Sequence, residues 1–187
     1  YHVDAPTGNI SLGEARPFLN PRHPLIEAAL PLAMGDNHRG YRILGTTPDI
    51  LSWYEASIAQ GKIFERHFEV TAGADVAREL GLKIGDRFHG SHGFTDDASL
   101  AHDDAQAFEV VGVLKPTGSV IDQLILTTTQ SFWLVHAHQE PAADTLGQAP
   151  DGRTATEGYP SSLLEAPADR EITSLLIKFR GRNFQTL

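Results

Sequence analysis

The chain has 187 residues, 41% of them hydrophobic, with 17 glycines, 11 prolines and no cysteine. That length serves one domain or two small ones and buries about 70% of the unfolded surface without staples. Without cysteine there is no disulfide, thiolate nucleophile or Cys-based zinc site, and the absence assigns no compartment. Fifteen Lys and Arg against 24 Asp and Glu leave a formal charge of −9 with no basic run, which argues against a nucleic-acid partner.

No apolar run approaches the ~20 residues of a membrane span, and no signal peptide is present. The chain starts at Tyr1 and its only methionine is Met34, so it reads as a segment of something longer. Ser11 with Glu14 has capping-box spacing and predicts a short helix that Pro17 limits or kinks. Asn20-Pro21 and His23-Pro24 break the chain again. Leu25 to Leu32 predicts a strand, Gly35-Asp36-Asn37 a turn, and Tyr41 to Gly45 the answering strand of a hairpin. Thr46-Thr47-Pro48-Asp49 opens a predicted helix striped by Ile50, Trp53, Tyr54 and Ile58 and stopped by Gly61.

Phe68 to Gly93 reads as a small β-α-β unit. Phe68-Glu69-Val70 is its first strand, and a helix enters at Gly73-Ala74-Asp75 with Val76, Ala77 and Leu80 inward and Gly81 as cap. Arg87-Phe88-His89 begins the next strand. After an acidic excursion over 94–106, Phe108 to Leu114 carries apolar residues on both alternating faces, the mark of a strand buried on both sides. Lys115-Pro116-Thr117-Gly118 has the preferences of a type I turn. A second strand is predicted from Val120 to Thr128, interrupted by Asp122-Gln123. Thr128 or Thr129 then caps a helix that places Phe132, Val135 and His136 together. Residues 139–171 predict a long loop, a mobile or contact arm, with one helical turn at Ser162 to Glu165. Ile172 to Phe179 is the last predicted strand, and no internal repeat or heptad pattern occurs.

Motifs for chemistry are sparse. Gly61-Lys62 lacks the upstream glycine and following Ser/Thr of a Walker A loop. Ala72-Gly73-Ala74-Asp75 has one glycine where a dinucleotide fingerprint divides its work among three. Gly90-Ser91-His92-Gly93 is no nucleophile elbow, because a histidine adjacent to the serine cannot turn back as its base. Histidine is the one enriched functional type, with nine. His89-x-x-His92 with His102, amid Asp96, Asp97, Asp103 and Asp104, is a candidate zinc-ligand mixture. The competing reading is a solvated acidic loop with incidental histidines. His136 and His138 diverge on a helix. Trp53 and Trp133 belong in a core, and Arg16, Arg22, Arg39 and Arg42 on a solvated surface.

Four phrases recur in order: Tyr41-Arg42-Ile43-Leu44-Gly45-Thr46-Thr47-Pro48-Asp49-Ile50, then Gly61-Lys62-Ile63-Phe64, then the stretch VARELGLKIGD over 76–86, then Phe108-Glu109-Val110-Val111-Gly112-Val113-Leu114. With this set the chain resembles the MacB-type extracytoplasmic domain of FtsX-like ABC transporter permeases over about residues 10 to 138, and 172–179 serves as a closing strand. The resemblance implies an α+β fold of two lobes. A mixed α/β porter lobe spans 1–67 and 119–187, and a smaller β-rich lobe spans 68–118. The arm at 139–171 departs from that pattern.

The resemblance further implies a periplasmic (extracytoplasmic) domain inserted between the first and second membrane helices of an inner-membrane permease. Such a domain is not an enzyme and holds no cofactor of its own; a separate cytoplasmic ATPase hydrolyses ATP. Its partners are the rest of the permease, that ATPase and a periplasmic partner protein, in a dimer of the full-length protein. The expected role is mechanotransmission, with Tyr1 and Leu187 near each other on one face. Two alternatives stand beside it: a divalent-metal (zinc) module within such a permease, using His89, His92 and His102, and a free-standing hydrolase with a carboxylate or Ser/His site.

Overall fold

The computed structural model describes residues 9–92, 107–137 and 163–181. Strand β1 (Ile10–Ser11) leads into helix α1 (Leu12–Leu19), and the expected capping box is formed. The Glu14 amide donates to Ser11 Oγ at 3.2 Å, while the Ser11 amide donates back to the Glu14 carboxylate at 3.1 Å.

Strand β2 (Ile26–His38) is longer than the predicted 25–32 segment. The turn expected at Gly35-Asp36-Asn37 does not form. A register irregularity between Met34 and Asn37 absorbs those residues, and the strand runs on. The chain reverses instead at Arg39-Gly40, with φ of 51° and 87°. Two positive φ angles give a hairpin turn whose twist matches its flanking strands. β3 (Tyr41–Thr46) returns antiparallel, completing the expected hairpin.

Helix α2 (Ile50–Trp53) is a single turn, not the predicted helix reaching Ile58. Glu55, at φ 50°, redirects the chain, and Ile58–Gly61 becomes strand β4. Pairing of β4 with a neighbouring strand overrides a helical spacing that was only a weak prior. β5 (Glu69–Ala72), α3 (Ala74–Leu80) capped by Gly81, and β6 (Arg87–Phe88) follow as the β-α-β reading expects. β7 (Ser91–His92) then pairs back onto β2.

Strand β8 (Phe108–Leu114) buries Phe108, Val110 and Leu114 completely, whereas Val111 and Val113 are half-buried. It is therefore covered more fully on one side than its sequence suggests. Val120–Gln123 forms a 3-10 turn rather than the first half of a strand. β9 (Leu124–Thr128) begins directly after the polar pair Asp122-Gln123. α4 (Thr129–Ala137) is capped by Thr128, whose Oγ1 accepts from the Ser131 amide at 3.1 Å. On α4 it is Trp133 and Leu134 that are buried, with Phe132 and Val135 only half so. The final predicted strand is divided into β10 (Glu171–Ile172) and β11 (Ser174–Phe179). At Thr173, between them, the hydroxyl bonds both the N–H and the C=O of Met34, at 2.9 and 3.2 Å.

The main sheet runs β11-β2-β3-β9-β5-β8-β4, with β6 on β8 and β7 on β2, while β1 and β10 pair separately. The β3–β9 and β5–β8 pairs are parallel, and β5 runs antiparallel to β9. Successive side chains on a strand point to opposite faces, and the core follows that rule. Leu44 and Leu126 pack with Leu30, Ile50, Phe64, Leu114 and Ile121, while Ile43 and Ile125 pack with Val70, Val76, Phe88, Phe108 and Val110. A third cluster joins Leu12 and Ala15 of α1 to Trp133, Ala166 and Ile172. Each buried Val, Leu, Ile or Phe among them contributes about 1.5–3 kcal/mol by leaving water. Residues 68–118, read as the smaller lobe, supply β5, α3, β6, β7 and β8, and β5 joins them to β9 within one continuous sheet.

Candidate functional site

The four phrases singled out in the sequence meet in space. Gly61 and Gly112 are register partners between β4 and β8. A methyl group on Gly61 would stand 2.0 Å from the Val111 carbonyl oxygen, and one on Gly112 would stand 1.9 Å from that of Lys62. Only glycine at both positions permits so close a crossing of two backbones. The third phrase joins the same strand: the Gly85 amide donates to the Val110 carbonyl at 2.8 Å, and the Val110 amide to the Asp86 carbonyl at 2.9 Å. The first phrase meets the third where the Tyr41 hydroxyl donates to the Glu79 carboxylate. Residues from Tyr41 to Gly112, far apart in the chain, thus form one framework around β8 and β3.

Two buried or half-buried carboxylates hold its loops. Glu69 accepts from the amides of Glu65 and Arg66 at 2.9 and 3.0 Å and from Lys62 Nζ at 2.9 Å. Burial pushes the Glu69 carboxyl up, but the Lys62 ammonium and the Arg66 and Glu65 amides outweigh it and leave it below the usual carboxylate range. Asp122 accepts from the amides of Thr117 and Gly118 and from the Thr117 hydroxyl. The 62–69 loop is also docked onto the start of α4. Phe68, in the left-handed region at φ 63°, donates its amide to Ser131 Oγ at 2.9 Å, and Thr127 Oγ1 donates to the Glu69 carbonyl at 2.8 Å. A bulky residue rarely adopts that φ, and here the Ser131 bond fixes it.

Beneath this loop the described residues line a half-open cavity of about 820 Å³. Its walls come from the end of α1 (Leu19), from β2 (Ala29, Pro31), from the β3–α2 connection (Thr46 to Asp49), from Phe64 to His67, from Thr128 and Gln130, and from Leu163 and Leu164. Asp49, Glu65 and Arg66 are exposed at its rim, while Thr46, Phe64, Thr128 and Gln130 are buried. The hydroxyl of Thr46 donates to the Pro31 carbonyl at 2.8 Å, and that of Thr128 lies 2.7 Å from Ser131 Oγ. Burial pushes the His67 imidazole below its ordinary pKa, favouring the neutral ring at pH 7.

Of the three histidines read as zinc ligands, His89 and His92 fall within the described residues. His89 is exposed after β6, with its carbonyl 3.3 Å from His38 Nδ1. His92 lies in β7 at the register position opposite Asp36, and His102 falls outside the described residues, as do Tyr1 and Leu187. Among the described residues, no group of three or more His, Cys, Asp or Glu stands close enough to hold a metal ion. The cavity residues were not legible as a site. Thr46 to Asp49 carried a helix-start signal and the end of the first phrase, and Phe64 to His67 lay at the end of the second phrase and beyond it. What unites them is sheet order, which no local pattern carries.

No family model matches the chain, and no curated protein matches it in sequence. Solved structures resemble it in fold. The periplasmic region of MacB from Actinobacillus actinomycetemcomitans is 9% identical over 66% of this chain and 56% of that one, with a TM-score of 0.45. A domain ascribed to a permease protein from Porphyromonas gingivalis is 17% identical over 93% and 64%, with a TM-score of 0.47. The extracellular domain of the noncanonic ABC-type transporter YknZ from Gram-positive bacteria is 8% identical over 93% and 75%, with a TM-score of 0.48. The chain therefore spans 56% and 64% of the first two structures. Two of these structures are described as the periplasmic or extracellular part of their protein. Among the described residues, no helix is long and apolar enough to cross a membrane.

Proposed function

We propose that the chain is the extracytoplasmic domain of an FtsX-like ABC transporter permease. In this reading it couples ATP hydrolysis by a separate cytoplasmic ATPase to movement of cargo, or to a signal, by mechanotransmission. The observation that carries the reading is the convergence of the four phrases. Their two glycines make the β4–β8 crossing, Gly85 and Asp86 extend β8, and Tyr41 bonds Glu79. A set of short phrases that meets by chance has no reason to share one framework. A continuous sheet with cores on both faces also suits a body that moves as a unit under force. The domain then has no catalytic role and needs no cofactor, and its partners are the membrane helices of its own permease, the ATPase and a periplasmic protein. The full-length protein works as a dimer.

These 187 residues hold no cysteine, so a full-length protein whose cysteines elsewhere are replaced by serine supplies the test. Single cysteines replacing the exposed Ile84 or Val120, 46% and 55% accessible, are introduced into the full-length protein in intact cells. A membrane-impermeant maleimide that crosses the outer envelope is expected to label both without lysis of the inner membrane. Labelling only after lysis, or a reading frame with no apolar span of about 20 residues on either side of this segment, overturns the proposal.

A further inference from the structure

The cavity beneath the 62–69 loop borders the framework that carries the mechanical reading, sharing Thr46 to Asp49 and Phe64 with its phrases but not the β4–β8 crossing. Its size falls within the range of about 300–1,000 Å³ that small-molecule sites occupy. Its wall chemistry is graded. Leu19, Ala29, Pro31 and Phe64 give the apolar body, and the buried polar atoms deeper in belong to neutral groups: the Thr46 and Thr128 hydroxyls, the Gln130 carboxamide and the His67 ring, which burial disfavours charging. Among the described residues, formal charge on the wall stands only at the rim, where Asp49 and Glu65 outnumber Arg66.

A charged ligand group would lose its hydration on entering such a floor and find no opposite charge there, a cost of several kcal/mol. An anion would in addition meet the net negative rim. A neutral molecule meets apolar walls and groups able to donate or accept hydrogen bonds, which fix orientation without charge. We infer that this cavity is a binding site for a small uncharged molecule with an apolar body and one or two hydrogen-bonding groups. The site stands whether or not the mechanotransmission reading does, because Thr46 to Asp49 and Phe64, which two of the phrases contain, enter here only through the chemistry of the wall.

The probe is N-phenyl-1-naphthylamine, uncharged at pH 7, titrated by fluorescence into the full 187-residue chain. Anionic 1-anilinonaphthalene-8-sulfonate is the comparison. The expected result is one saturable site for the neutral probe, with a dissociation constant of about 1–100 µM, and at least tenfold weaker binding of the sulfonate. Ala29→Phe places a ring in the cavity from β2 and is expected to weaken the neutral probe at least tenfold while the chain still unfolds cooperatively. If Ala29→Phe fails to fold, Thr47→Trp at the half-buried edge of the cavity serves in its place. Unsaturable binding, equal or tighter binding of the sulfonate, or unchanged affinity in the folded filling variant overturns the site. A labelling result that places the domain inside the cell would sink the transporter reading and leave this titration unaffected, so the two failures are distinguishable.

Discussion

Replacing Asp122 by alanine tests whether one buried carboxylate organises the crossing from β8 to β9. Asp122 is 4% exposed and accepts three hydrogen bonds: the Thr117 amide at 2.9 Å, the Gly118 amide at 2.7 Å and the Thr117 hydroxyl at 3.0 Å. Hydrogen bonds to a charged acceptor contribute about 1.5–3 kcal/mol each, so three bound the loss at roughly 5–9 kcal/mol. The real loss is smaller, because Gly118 is exposed and its amide recovers water. We therefore expect Asp122→Ala to cost about 3–4 kcal/mol, a large share of the 5–15 kcal/mol that holds a typical domain. For this length the melting temperature should fall by roughly 10 °C. The assay is urea unfolding followed by circular dichroism, with the m-value required to stay constant. Asp122→Asn, which keeps the volume but turns an amide NH₂ toward the same donors, should cost at least half as much. A loss below about 1 kcal/mol for alanine would refute the reasoning, since the turn would then be held by its own backbone preference.

Gly73→Ala and Gly81→Ala should separate in the same assay. A methyl group on Gly73 would lie 2.4 Å from the carbonyl oxygens of both Ile121 and Asp122, whereas at Gly81, with φ 68°, it would meet open space. The first is expected to cost about 2–4 kcal/mol by displacing α3 from the 3-10 turn, and the second only about 1 kcal/mol of backbone strain; equal costs would show that α3 is not seated there. His67 sets a pH response. Its folded-state pKa lies below the unfolded value of about 6.5, so its contribution is complete above that pH and is lost as pH falls toward the folded value. Stability measured from pH 7.5 down to 5 should decline less steeply in His67→Gln than in the parent chain; parallel curves would mean that burial of the ring carries no proton linkage.

Local chemistry settled much of this molecule in advance. The Ser11–Glu14 capping box, the Thr128 cap of α4, the Gly81 cap of α3, and the apolar alternation of β8 are all written in neighbouring residues. Each depends on contacts within a few positions of the chain, which spacing alone reports. Tertiary structure decided the rest. Ile58 joined a strand rather than a helix because β8 offered it a hydrogen-bonding edge, and β2 ran past Gly35 because the Arg39-Gly40 turn and the pairing with β7 rewarded the longer strand. The insertion of β5 between β9 and β8 likewise follows from which strands could bury both faces together. The cavity was beyond the reach of sequence for the same reason. Ala29, Thr46, His67 and Gln130 share no motif and become neighbours only once the order of the strands is set.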